Sequence, residues 1–158
     1  MSNLKKISEV SAIWEKQNSN CAQATGKGLL GHFNYKDAGN VLFSSFFPFG
    51  GGFMSGNICG AVSGTLAAMS FILWKKNKSM EEIMHLSDQM KEKFVNEFGS
   101  INCAEIMAPF FDMKNPLNMM KTAMENSEIF FKSEPYKLCT NCVNKATIIA
   151  KELIEKSA

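Results

Sequence analysis

The sequence predicts an all-α protein, and three observations support this class. Apolar residues recur at helical spacing, most clearly over residues 79–98. The same stretch carries both a helix start signal and a stop signal. No segment shows sustained alternation of apolar and polar residues, the pattern of a half-buried strand. We expect a single domain over residues 1–158: a compact bundle of about five to seven helices with a long Gly/Phe-rich loop.

The first half of the chain predicts three helices and a loop. Helical spacing of apolar residues predicts one helix over 4–16, and a second follows over 20–31. Residues 32–57 are rich in Gly, Asn, Phe and Ser and predict a long aromatic loop with one helical turn near 38–46. Residues 58–74 are nearly uncharged. Because that run is short for a membrane span and contains Gly, Ser and Thr, it predicts a helix buried on all sides.

The second half predicts four further helices. Ser79 and Glu82 form a capping box before the helix over 79–98, and Gly99 ends it. A short helix begins near 102 and is limited by a proline. The last two predicted helices run from Pro116 to about 131 and over 140–156.

Composition excludes several classes of function. The net charge is +2 and the chain contains no arginine, the residue best suited to phosphate and guanine contacts, so we expect no nucleic-acid partner. The first residues lack an apolar core of signal-peptide length, so we expect a cytoplasmic protein. Cytosolic thiols are kept reduced, and five cysteines there favour metal binding or redox chemistry over structural disulfides.

Asparagine precedes the cysteines in four places: NCAQ at 20–23, NICG at 57–60, NCAE at 102–105 and NCVN at 141–144. Asn is a favoured N-cap, and Gln or Glu three residues later completes a capping box. Cys21 and Cys103 should therefore be the first residues of their helices, and Cys59 the second if Asn57 is the cap. A helix N-terminus lowers a thiol pKa by less than about 1.5 units, so helix ends alone leave these thiols mostly protonated.

The glycine-rich stretch FGGGFMSGN at 49–57 lacks the GK[ST] of a phosphate-binding loop. Two glycines of the next helix, Gly60 and Gly64, lie on one face and would let another backbone or a bound centre approach closely. Gly56, Gly60 and Gly64 are therefore the candidate glycines for contact with a cofactor. Of the two histidines, His32 is the better candidate for a ligand or proton carrier, because it lies at the entry to the loop.

Four separated motifs resemble the C_GCAxxG_C_C family of redox-active proteins. They are NCAQA at 20–24, FGGG with GxxCGAxxG at 49–64, INCAE at 101–105, and a late cysteine followed by VxxA at 139–146. They occur in the family's order across nearly the whole chain. The resemblance implies that the family's cysteines are Cys21, Cys59, Cys103 and Cys139. Cys142 departs from the pattern, which has an aliphatic residue there more often, and it is the alternative fourth thiol.

The resemblance implies redox activity, and an iron–sulfur centre is associated with a related domain of split-Soret cytochrome c. Thiolate ligands suit iron–sulfur clusters or zinc, and the scattered spacing differs from zinc-finger pairs, which favours a [2Fe–2S] centre held by Cys21, Cys59, Cys103 and Cys139. Electron transfer or redox sensing with an unidentified redox protein as partner is then expected.

Two alternatives remain open at the level of sequence. One is a metal-free thiol–disulfide oxidoreductase in which Cys59 is the catalytic nucleophile and Cys103 or Cys139 resolves the disulfide. The other is a structural zinc domain. The Phe-rich segment 43–49 would either cover the core or form a homodimer surface.

Overall fold

Helices account for nearly all regular structure in residues 10–110 and 125–158, which are the residues that the computed structural model describes. In chain order they are α1 (Val10–Lys16), α2 (Cys21–His32), α3 (Lys36–Val41), α4 (Gly60–Lys75), α5 (Met80–Phe98), α6 (Cys103–Met107), α7 (Ser127–Phe131) and α8 (Glu134–Lys156). A 3₁₀-helix (Ser44–Phe49) and a π-type turn (Gly52–Gly56) lie between α3 and α4. These residues contain no strand, only an isolated bridge between Ile58 and Asn102, which confirms the all-α prediction.

The apolar helix α4 lies at the centre of the bundle. It packs along α2, and α5 and α8 cover its remaining sides. Its side chains Val62, Ile72 and Leu73 are completely buried, as the uncharged run predicted. Among the described residues, no helix combines the length and the apolar character needed to cross a membrane.

Gly64 lets α2 and α4 approach closely. A Cβ at this position would lie 2.6 Å from Thr25 Oγ1 and 2.8 Å from Ala22 Cα, closer than real Cβ contacts allow. Both contacting residues are buried on α2. The glycine therefore brings the starts of the two helices together, and both starts carry a cysteine.

The predicted helix over 79–98 is confirmed in its bounds. Ser79 N donates to Glu82 Oε2 at 2.8 Å, and Glu82 N donates to Ser79 Oγ at 3.2 Å, so the capping box forms. Gly99 adopts a left-handed conformation with φ 80° and ends the helix. The short helix expected near residue 102 is also present, as α6.

Other predicted bounds were wrong or lie outside the described residues. The last helix begins at Glu134, not near 140, because Ser133 caps it and accepts a bond from Tyr136 N at 3.3 Å. The stretch 32–57 is more regular than expected, since it contains α3 and the 3₁₀-helix. Residues 4–9 of the first predicted helix, and 116–124 of the helix predicted from Pro116, lie outside the described residues. Within that second prediction the structure has α7.

Candidate functional site

All five cysteines line one cavity of about 360 Å³. They come from four helices that are well separated in sequence, and none of them forms a disulfide. Four are buried and Cys139 is partly exposed. Aromatic and apolar side chains form much of the remaining wall: Trp14, Phe47, Ile106, Met107, Phe130 and Phe131.

Cys21 is the first residue of α2, as its capping motif predicted. Asn20 Oδ1 accepts bonds from the amides of Ala22 at 3.1 Å and Gln23 at 3.0 Å, and Asn20 N donates to Gln23 Oε1 at 3.2 Å. The same asparagine uses its Nδ2 to donate to Phe47 O at 2.9 Å. One side chain therefore fixes both the helix start and the aromatic loop beside it.

Cys59 is itself the N-cap residue of α4, with φ −50° and ψ 131°. The expectation that Asn57 caps this helix and that Cys59 is its second residue is wrong. The cause is a long-range backbone contact: Cys59 N donates to Ile101 O at 2.7 Å, and Cys103 N donates to Asn57 O at 2.7 Å. These bonds belong to the bridge at Ile58 and hold the cysteine in an extended conformation.

Cys103 is the first residue of α6, as predicted, but the capping box expected around it does not form. Asn102 occupies the N-cap position without a side-chain cap bond. Its Nδ2 instead donates to Glu105 Oε1 at 3.2 Å, and Ser100 Oγ donates to the other carboxylate oxygen. Both hydrogen bonds lower the pKa of Glu105, and the one from Ser100 has the larger effect. The backbone bridge to Asn57 therefore positions Cys103.

Cys139 and Cys142 lie inside α8, so the expectation that a helix starts at NCVN is wrong. They are three residues apart, a spacing that places two side chains on the same helix face, and both reach the cavity. The Cys139 thiol donates to Met107 Sδ at 3.8 Å. Cys142 is also the neighbour whose hydrogen-bonding effect lowers the pKa of Cys59.

Cys59 is the thiol that the site favours in its ionised form. The hydrogen bond from Cys142 is the main cause that lowers its pKa, and the backbone N–H groups of Ala61 and Val62 add to it against the opposing effect of burial. The pKa of Cys21 is raised to about 12, first by burial and then by the charge on Cys59. The pKa of Cys103 and Cys139 is also raised, mainly by burial.

The glycine-rich loop presents its backbone to Cys21. Four consecutive residues are left-handed, with φ 59° at Gly51, 65° at Gly52, 57° at Phe53 and 56° at Met54. The Gly51 N–H acts to lower the pKa of Cys21, against the larger opposing effect of burial. Non-glycine residues pay about 1–2 kcal/mol each for this conformation, so two of the four positions carry backbone strain beside the site.

The three glycines predicted to contact a cofactor do not lie on the cavity wall, whereas Gly50 and Gly51 do. Gly60 nevertheless lies against Cys21. A Cβ at this position would be 2.9 Å from Phe49 O and closer still to the Cys21 sulfur. Gly56, with φ 78°, ends the π-type turn before the cysteine. Gly56 and Gly60 therefore lie next to cysteines of the site without lining the cavity.

Sequence reasoning missed the aromatic part of the wall. Trp14 packs edge-on against Tyr136 at 5.1 Å and contacts Phe130 at 6.1 Å between ring centroids. The rings come from α1, α7 and α8, so no local spacing could have indicated that they meet. His32 is not part of this cavity: its Nε2 lies 3.8 Å from Glu155 Oε1, and it lines a second cavity beside α1.

In the part of the chain that the structure describes, no group of three or more Cys, His, Asp or Glu side chains is arranged to hold a single metal ion.

Comparison with curated proteins and with solved structures gives no significant match. A family model described as "Putative redox-active protein (C_GCAxxG_C_C)" matches residues 19–153, which is most of the chain. The match includes Cys21, Cys59, Cys103, Cys139 and Cys142, the five thiols of the cavity. The chain therefore belongs to the C_GCAxxG_C_C family.

Proposed function

We propose that this family member binds an iron–sulfur centre in the cysteine cavity and serves in electron transfer or redox sensing. The observation that carries the proposal is the convergence of five thiols from four separate helices on one cavity. Cys21, Cys59, Cys103 and Cys139 would hold the centre, and Cys142 is the alternative to Cys139. A [2Fe–2S] centre uses four such ligands.

The chemistry of the donor set fits such a centre. All titratable side chains on the described wall are cysteines, and thiolates are the ligands that iron–sulfur clusters require. A cluster distributes four thiolates around several atoms, so its ligands form a wider ring than those of one ion. A structural zinc ion, the alternative, would use four of the same thiols around a single ion.

The chain would contribute charge stabilisation and exclusion of water. Backbone N–H groups at Gly51 and Ala22 act on the Cys21 sulfur, and those of Ala61 and Val62 act on Cys59. Such donors stabilise negative charge on sulfur and raise the reduction potential of a thiolate-ligated centre. When bound, the centre supplies reversible one-electron exchange. Cys21, Cys59 and Cys103 are buried, so three of the four proposed ligands are shielded from water.

One observation favours a second candidate, the metal-free thiol–disulfide oxidoreductase. The Cys142 thiol is the main cause that lowers the pKa of Cys59, so Cys142 joins Cys103 and Cys139 as a candidate to resolve a disulfide at Cys59. The Cys59 thiolate would attack a substrate disulfide and release one thiolate. Cys142, once deprotonated, would attack the mixed disulfide at Cys59 and release the second thiol, leaving the Cys59–Cys142 disulfide.

The deciding experiment measures iron, zinc and acid-labile sulfide in protein purified without oxygen, together with its visible spectrum. We expect about two iron and two sulfide per chain. Cys21→Ser, Cys59→Ser and Cys103→Ser should each lose the centre. Between Cys139→Ser and Cys142→Ser, only one should lose it, which identifies the fourth ligand.

A colourless protein that binds neither iron nor sulfide after anaerobic reconstitution would refute the cluster. In that case a Cys59–Cys142 disulfide, found by mass spectrometry after mild oxidation and absent from Cys142→Ser, would support the second candidate.

A further inference from the structure

We propose that the cysteine cavity also binds a small, uncharged, planar conjugated ring of the quinone class, seated between the thiols and the aromatic wall. This proposal rests on the proposed function, because the molecule would exchange electrons with the redox site of the same cavity. Its binding, however, can be measured separately from the metal content.

The described part of the wall offers no cationic partner. Its residues include no Lys or His, and its aromatic part consists of Trp14, Phe47, Phe130 and Phe131. Against these residues an anionic ligand would lose its hydration without gaining an ion pair. Aromatic rings favour stacked or edge-to-face partners with centroids roughly 4.5–7 Å apart, so a flat ring is the shape this wall accepts best.

Polar groups occur at a few places on the wall, as in other small-molecule sites. Ser127 is exposed, and Asn18 lies in the loop before Cys21 with φ 44°. A hydroxyl or amide donor at such a position can bind a carbonyl oxygen. The wall therefore offers apolar contact to a ring and hydrogen bonds to its carbonyl groups, which are the two features of a quinone.

The cavity has the size of a small-molecule site. Its volume is about 360 Å³, and such sites span roughly 300–1,000 Å³.

The two tryptophans of the chain provide a direct test. Trp14 lines the cavity and is 7% exposed, whereas Trp74 lies outside it and is 65% exposed. Trp74→Phe leaves Trp14 as the reporter, and Trp14→Phe leaves Trp74 as the control. The probe is tetramethyl-1,4-benzoquinone, whose substituted ring positions prevent simple addition of thiols.

We expect saturable quenching of Trp14 fluorescence that reverses when the quinone is removed, and only linear, collisional quenching of Trp74. Quenching that fails to saturate in Trp74→Phe would overturn the proposal. A second variant covers the case in which Trp14→Phe does not fold. Ser127→Phe in the Trp74→Phe background should weaken binding at least tenfold, whereas Ile129→Phe on the same helix but off the wall should not. Equal binding in these two variants would also overturn it.

Iron analysis of the same samples separates the two proposals. Saturable quenching in protein that cannot hold iron supports the ligand and refutes the cluster. Iron and sulfide in protein without saturable quenching support the cluster and refute the ligand.

Discussion

Gly60→Ala tests whether the start of α4 must lie against Cys21. The new methyl group would be 2.9 Å from Phe49 O, 3.2 Å from Gly50 Cα, and closer still to the Cys21 sulfur. Two of these three neighbours are backbone, so the thiol is the group that must move. Overpacking of this kind costs about 1–3 kcal/mol, which corresponds to a fall in Tm of roughly 2–12 °C for a chain of this size.

The assay combines urea unfolding with iron analysis after anaerobic reconstitution. Gly60→Ala should be less stable by the stated amount and should lose most of its iron, because the Cys21 sulfur is displaced. Gly28→Ala is the matched control for packing: its methyl group meets the side chain of Val10 at 2.7 Å but no cysteine. It should lose similar stability and keep the centre.

Gly31→Ala controls for the substitution itself. No atom lies within 4 Å of a Cβ at this position on α2, so the variant should be as stable as the wild type or up to about 1 kcal/mol more stable. A Gly60→Ala protein with wild-type stability and full iron content would refute the reasoning, because the close approach at Cys21 would then have no consequence.

Three further predictions concern charge and the loop. Cys142→Ala should raise the pKa of Cys59, because the effect of Cys142 is the main cause that lowers it. Alkylation of Cys59 in the metal-free protein should then require a higher pH. Cys139→Ala is the control, and an unchanged pH profile in Cys142→Ala would contradict the assignment. Asn20→Asp should keep the cap of α2 but lose the hydrogen bond to Phe47 O, whereas Asn20→Ala should lose both. In urea unfolding, the free energy of unfolding of Asn20→Ala should be lower than that of Asn20→Asp by about 0.5–2 kcal/mol. Equal stability of the two variants would show that the cap contributes nothing. Because burial raises the pKa of most of the thiols and ligation removes their protons, reconstitution should weaken as pH falls from 8 to 6, and a yield of iron independent of pH would argue against thiolate ligands.

Local signals were sufficient where a helix start depends on its own residues. Ser79 with Glu82, and Asn20 with Gln23, form the capping boxes that the sequence predicted, so the start of α5 and the position of Cys21 followed from short motifs. The single apolar run likewise indicated the buried helix α4. In each case the interaction joins residues only a few positions apart.

Local signals failed where a distant contact decides the conformation. Asn57 cannot be a cap, because its carbonyl and the Cys59 amide are bound to a segment beyond α5. Asn141 precedes a cysteine as Asn20 does, yet it lies inside α8. The combination of Ser133 and Pro135, a serine before a proline in the first turn, was the signal for the true start. Phe47 belongs to the Phe-rich segment that the sequence singled out, but the contact of Trp14 with Phe130 had no local signal, since these rings meet only through tertiary packing.

The bridge between Ile58 and Asn102 has a consequence for the order of folding. It joins the two ends of the α4–α5 hairpin and brings together Cys59 and Cys103, 44 positions apart, whereas Cys142 lies 83 positions from Cys59. Shorter loop closure is faster, so we expect Cys59 and Cys103 to be brought together before Cys142 arrives. During this interval Cys59 lacks its contact with Cys142 and is not yet buried by α8. Pulsed alkylation during refolding should therefore label Cys59 before it becomes protected. The nascent chain would then pass through a brief period in which its most reactive thiol is open to oxidants, and rapid docking of α8 would limit that exposure.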